Sequence, residues 1–194
     1  MKSIDIAGHL SYLCRQSSIR MKTNVKKEEQ GMVGEIPRQL NVLLRKYLQD
    51  AGKKNNYQLV SGGLTFDNLF SDRMLLVLVI REGIPFDFFE LLRKISPFTL
   101  TQWSEMLDIS TKSLLRYRDS KRKFKAIHSE KIIELAEVTR LGLDIFDSGE
   151  QFRLWLETPN QALGRQKPMD LLHDSYGKDL VAGELTRIDQ GIFA

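Results

Sequence analysis

The chain has 194 residues, 42% hydrophobic and 28% charged, which suits one domain or two small ones with room for a packed core. Its net charge of +4 is too small to argue for nucleic acid alone, but the distribution is uneven: residues 1–60 carry 11 basic and 5 acidic groups, residues 131–194 carry 7 and 11, a division that fits either two different partners or accidental variation of surface charge. The single cysteine, Cys14, excludes an internal disulfide and a cysteine-based zinc site, and the longest apolar run, Met74 to Ile80, is far below the roughly 20 residues that span a bilayer.

From the N-terminus, Ser17 to Gln30 is polar and is followed by Gly31 and Gly34, the composition of a tail or linker. Residues 36–51 read as a helix, with Pro37 near its start and Leu40, Leu43, Leu44, Tyr47 and Leu48 on one face. Lys53 to Gly63 reads as a loop. Asp72 to Glu82 fits either a strand or a buried helix; Met74 and the leucines favour helix, Val77, Val79 and Ile80 favour strand, and we read helix. Phe86 to Ile95 is a clear amphipathic helix, with Phe88, Phe89, Leu91, Leu92 and Ile95 apolar.

Two short helices with a tight turn follow. Thr99 and Gln102 have the spacing of a capping box, Trp103 and Leu107 lie four apart on one face, and Ser110 is a natural N-cap for a second helix anchored by Leu114. This is the helix-turn-helix pattern, with Asp108 at the turn position that glycine often takes. The second helix offers Thr111, Lys112, Ser113 and Arg116 outward, suited to the base edges of a major groove. Arg118, Lys121, Arg122, Lys123 and Lys125 follow, suited to phosphates. The candidate DNA contacts are Ser110, Thr111, Lys112, Ser113, Arg116, Arg118 and Lys121. The same geometry also occurs in proteins that bind no DNA, and a basic run is usually a solvated face.

Ser129 to Phe146 reads as a long helix, and Ser148 with Gln151 as a second capping box opening a helix through Phe152, Trp155 and Leu156. Pro159 forces Thr158 out of helical geometry, Asn160 to Lys167 is a loop, and Pro168 is placed to open a short turn. Ser175 to Gln190 is a last amphipathic helix with an apolar pattern of Leu180, Val181, Leu185 and Ile188, ended by Gly191. Asp170 and Asp174 share a helical face, which is common on surfaces. His9, His128 and His173 lack metal-ligand spacing, and there is no phosphate-binding glycine loop or nucleophile elbow. The expectation is therefore no enzyme, no cofactor and no metal.

The run Trp155-Leu156-Glu157-Thr158-Pro159-Asn160-Gln161-Ala162-Leu163-Gly164-Arg165-Gln166-Lys167-Pro168-Met169-Asp170-Leu171-Leu172, with the ending Arg187-Ile188-Asp189-Gln190-Gly191-Ile192-Phe193-Ala194, resembles the C-terminal domain of Xre/MbcA/ParS-type antitoxins, the partners of RES-domain toxins. The resemblance covers about 72–194. It departs where Arg165 stands in place of a second glycine after Gly164, and residues 1–70 match nothing in the family. It implies an all-α fold: an N-terminal extension over 1–70, an Xre-like helix-turn-helix DNA-binding domain over 71–126, and a small helical toxin-binding domain over 127–194. It further implies a cytoplasmic antitoxin that occludes the active site of a RES-domain, NAD-consuming toxin. As a homodimer it would bind operator DNA to regulate its own operon, and it would form a hetero-oligomer with the toxin. The toxin contacts implied by position are Asn160, Leu163, Gly164, Arg165, Lys167, Gly191, Ile192, Phe193 and Ala194. The competing reading is a stand-alone helix-turn-helix transcriptional regulator without a toxin partner.

Overall fold

Asp72 settles the ambiguous apolar run as a helix. Its side chain accepts the Leu75 N–H at 3.0 Å, which satisfies a donor that a helix start leaves open. In this computed structural model residues 38–49 and 65–192 are described. The tail over 17–30, the loop over 53–63, and Phe193 and Ala194 lie outside them. The described elements are α1 (38–49), α2 (Phe66–Leu69), α3 (Arg73–Glu82), α4 (Phe86–Ile95), α5 (Leu100–Met106), α6 (Thr111–Ser120), α7 (Ala126–Ile145), α8 (Gly149–Glu157), α9 (Pro168–Leu171) and α10 (Ser175–Asp189). The fold is all-α: among the described residues there is no strand, only two isolated bridges, Pro85 with Lys123 and Asn160 with Gln166.

The long helix α7 organises the rest. It packs against α3, α4, α8 and α10, and its Ile132, Ile133, Leu135, Ala136 and Val138 are buried. It begins three residues before Ser129, the expected start. Ser129 is a fully buried bridge inside the first turns: its Oγ accepts the Ile84 N–H at 3.0 Å and donates to the Phe124 carbonyl at 3.3 Å. Nearby, Gly83 ends α3 at φ 82°, and a Cβ there would sit 2.3 Å from the Phe124 carbonyl oxygen, so glycine is required twice over. The Tyr47 hydroxyl of α1 lies 3.0 Å from both the Val79 and the Gly83 carbonyl oxygens, which ties α1 to this junction. Burial pushes the Tyr47 phenol up, and the nearby Glu82 carboxylate adds to it.

Phe86, Phe89, Phe98, Trp103 and Phe124 form a buried aromatic cluster, with Phe89 and Trp103 edge-to-face at 5.1 Å. The indole N–H of Trp103 donates to Ser96 Oγ at 3.0 Å, so the largest buried side chain leaves no orphan donor.

On the other side of α7, Gly142 receives the Phe152 ring of α8: a Cβ at 142 would meet that ring at 2.2 Å. Phe146, Phe152 and Trp155 stack beside it. The α10 helix is held to α7 by Val181 and Leu185 and by an ion pair of 2.8 Å between Lys178 and Glu134. Lys178 is 2% exposed, so its ammonium depends on that partner. No helix among the described residues is long and apolar enough to cross a membrane.

Candidate DNA and partner interfaces

The pair α5–α6 is built by its caps. Thr99 accepts the Gln102 N–H at 3.2 Å while Gln102 Oε1 accepts the Thr99 N–H at 2.8 Å, the reciprocal box that starts α5. The helix is closed by Asp108 at φ 60°, the left-handed conformation that the turn demands. Ile109 N–H then reaches back to the Ser104 carbonyl at 3.0 Å. Ser110 caps α6 by accepting the Ser113 N–H at 3.1 Å, and Ser104 and Thr111 share a hydroxyl hydrogen bond of 3.1 Å across the turn. Leu114 is fully buried, and Tyr117 stacks on Phe124 at 4.3 Å.

This leaves the seven candidate DNA contacts in two groups. Ser110, Thr111 and Ser113 spend hydroxyls on caps and on the turn, with Thr111 and Ser113 half-buried. Lys112, Arg116, Arg118 and Lys121 are exposed. Arg118 is engaged by Asp119 at 3.0 Å, and Lys121 is the left-handed residue (φ 50°) that ends α6. Arg122 and Lys125, also exposed, extend the basic surface, while Lys123 is drawn to Glu82 at 2.7 Å. Leu115 is half-buried.

His128 sits behind this unit, its ring 6.4 Å from Tyr117, and faces Leu107, Asp108, Lys125 and Lys131. Burial holds its imidazole below the usual histidine range, and Lys131 and Lys125 push the same way, against the Leu107 backbone and Asp108. The folded protein therefore binds fewer protons here than the unfolded chain. Stability is expected to fall as pH drops below about 6.5, and His128→Gln to flatten that slope in thermal melts between pH 7 and 5. An unchanged slope would assign the acid sensitivity elsewhere.

The C-terminal loop is organised by Asn160. Thr158 leaves α8 at ψ 130°, as Pro159 requires. The Asn160 N–H donates to the Gln166 carbonyl at 3.0 Å, its own carbonyl accepts from Arg165 at 2.8 Å, and its Oδ1 accepts the Ala162 N–H at 2.8 Å. Asn160 thus spends its backbone groups and its Oδ1 on shaping the loop. Leu163 is half-buried against the core. Gly164, Arg165 and Lys167 are exposed, as are Gly191 and Ile192.

Gly164 and Arg165 take φ of 68° and 63° in succession. The left-handed conformation costs arginine roughly 1 kcal/mol more than glycine. Arg165→Gly should therefore leave the fold intact and raise stability slightly or not at all, glycine losing more entropy on folding. A clear loss of thermal stability would show that the guanidinium holds the loop.

Pro168 opens α9 as its first residue, and Asp174 caps α10 by accepting the Gly177 N–H at 2.8 Å. Ser148 caps α8 by accepting from Gln151 N–H at 3.2 Å; the return bond that would complete the expected box is not among the described contacts. At the far end, Gly191 is left-handed at φ 72° and the Ile192 N–H reaches the Arg187 carbonyl at 2.9 Å, a glycine-terminated helix end.

The α10 helix also carries a correction. Leu180 was expected on its inner stripe with Val181, but it is 59% exposed. Neighbouring helix positions lie about 100° apart, and Lys178, Val181 and Leu185 occupy the inner face. Tyr176, at 85% exposure, shares the outer side with Leu180. Sequence reading assigned neither to a site. Among the described residues no cluster of histidine, cysteine or carboxylate side chains is arranged to hold a metal.

Residues 141–191 match the family model of the antitoxin Xre/MbcA/ParS C-terminal toxin-binding domain. A curated relative described as antitoxin Xre, from Yersinia enterocolitica serotype O:8 / biotype 1B (strain NCTC 13174 / 8081), is 31% identical over 88 residues, 44% of this chain and 59% of that protein. A chain of the crystal structure of the M. tuberculosis MbcT–MbcA toxin–antitoxin complex aligns with a TM-score of 0.47 and 22% identity over 55% of this chain and 94% of that one. The match over residues 141–191 includes the 155–172 run that carried the resemblance to Xre/MbcA/ParS-type antitoxins.

Proposed function

We propose that this protein is an antitoxin with two interfaces. Its C-terminal region binds a RES-domain, NAD-consuming toxin and occludes the active-site cleft, and its α5–α6 unit binds operator DNA as a homodimer to repress its own operon. The observation that carries the first part is the match of residues 141–191 to a toxin-binding domain. The second part is supported by α6, which keeps Lys112 and Arg116 exposed on a helix fixed from behind by Leu114 and Tyr117. Two-fold symmetry in such a dimer is mirrored by two DNA half-sites. The protein itself performs no catalysis in this reading and works in the cytoplasm.

The test is co-expression with the product of the adjacent reading frame, followed by affinity capture and a growth assay, using the full chain and a version ending at Gln190. Capture and rescued growth are the expected result, with rescue lost on truncation if the last four residues enter the cleft. Rescue by the truncated chain would shift occlusion to the 158–172 segment or another surface. No complex would leave the chain a DNA-binding regulator without a toxin.

A further inference from the structure

Three glycines lie inside the two longest helices, and the fold explains two of them. Gly142 admits the Phe152 ring, and Gly177 lets the Leu171 carbonyl approach so closely that a Cβ would fall 1.9 Å from its oxygen. Gly183 is different. It lies within the 15-residue α10, is exposed, and a Cβ built there meets no atom among the described residues within 4 Å. Glycine is the poorest helix residue after proline, so an interior glycine with nothing packed on it weakens the helix without an internal return.

Its neighbours point the same way. Tyr176, Leu180 and Gly183 follow the i, i+4, i+7 spacing of a single helix face. Tyr176 is 85% and Leu180 59% exposed, while Lys178, Val181, Glu184 and Leu185 are buried on the inner side. Asp179, three residues from Tyr176 and four from Gly183, is exposed at the edge of that face. Tyrosine and leucine beside a residue without a side chain form a shallow apolar seat that a backbone can approach closely.

We propose that this outer face of α10 is where the toxin docks, with Gly183 admitting the backbone of a toxin segment beside Leu180. The proposal rests on the antitoxin reading and names the surface that serves it. Within the matched region, the loop over 157–167 exposes polar and small groups, while the large exposed apolar side chains are Leu154, Tyr176 and Leu180. Asp179 edges the face and Arg187, four residues after Gly183 and 3.5 Å from Glu184, closes its C-terminal end, so the fitting surface is apolar with a group of each charge at its rim. The match of this helix to a toxin-binding domain favours the toxin over a second copy as the occupant.

The deciding experiment uses the full chain, co-expressed with the product of the adjacent reading frame, as wild type and as Gly183→Leu, Tyr176→Ala and Asp179→Lys. Affinity is read by titration, and the melting temperature of each free variant is measured. Gly183→Leu is expected to weaken toxin binding by about tenfold or more, while the free protein melts no lower than wild type because leucine favours the helix. Tyr176→Ala and Asp179→Lys are expected to weaken binding in the same assay. Equal toxin affinity for wild type and Gly183→Leu would overturn the docking site and leave the antitoxin reading standing. A lower melting temperature for Gly183→Leu would overturn it in favour of a segment of the chain itself covering the face. A toxin-free dimer that Gly183→Leu converts to monomer would overturn it in favour of a second copy. Failure of the wild type to capture the toxin would remove both the docking site and the antitoxin reading.

Discussion

Gly177→Ala is expected to destabilise the protein by about 3 kcal/mol, a drop of roughly 6–12 °C in melting temperature for a chain of this size. The added Cβ would fall 1.9 Å from the Leu171 carbonyl oxygen and 2.8 Å from its carbon, so the obstacle is backbone. A flexible side chain would swing aside, but here α9 and α10 must separate. The same residue donates its N–H to the Asp174 cap, so the shift also loosens the start of α10. The damage should concentrate in α9, α10 and the turn between them, where Leu172, Val181 and Leu185 are fully buried. Amide exchange in those helices should rise more than in α5 and α6. Gly149→Ala is the control, since no atom among the described residues lies within 4 Å of a Cβ there. A variant at 177 as stable as that control would show that the α9–α10 contact yields without cost.

The double substitution Lys112→Ala with Arg116→Ala is expected to weaken binding to the DNA upstream of the protein's own reading frame by about 2–6 kcal/mol, or roughly 30-fold to 20,000-fold. Each base contact of this kind is worth about 1–3 kcal/mol. Both side chains are exposed, so their removal should leave the stability within about 1 kcal/mol of wild type, roughly 2–4 °C in melting temperature. That separation distinguishes lost recognition from lost folding. Replacing Lys121, Arg122 and Lys125 instead should weaken binding to all sequences alike and flatten its salt dependence. Unchanged operator binding by the double variant would remove α6 from the groove. It would then favour an α5–α6 pair that serves only as protein scaffold.

Much of this architecture was legible because single residues dictate local geometry. Phe86–Ile95 has the bounds its apolar spacing predicts, Pro159 stops α8, Pro168 opens α9, and Thr99 with Gln102 form both halves of their box. Asp108 takes the left-handed turn that its place in the pattern implied. What was not legible depends on contacts distant in sequence. The start of α7 was read three residues late because Ser129 spends its hydroxyl on Ile84 and Phe124, across 45 and 5 residues. Leu180 was read inward because an apolar pattern alone does not say which of two adjacent residues faces the core. Among the candidate site residues, the exposed cations Lys112, Arg116, Arg165 and Lys167 were readable as surface. The use of Asn160 as the organiser of its loop was not, since it needs the fold of that loop to be known.

The placement of α7 sets a rule for exchanging parts between relatives. Its N-terminal turns brace the α3–α4 junction through Ser129, its middle pairs Glu134 with Lys178, and its last turn seats Phe152 on Gly142. A chimaera joined within this helix would hand one parent's inner face to the other parent's neighbours and leave Lys178 or Ser129 without its mate. A recipient that keeps all of α7, and trades only the outward residues of α8, the Asn160 loop and α10, retains every one of those pairings. Partner preference can then be transplanted as a surface while the scaffold is inherited whole.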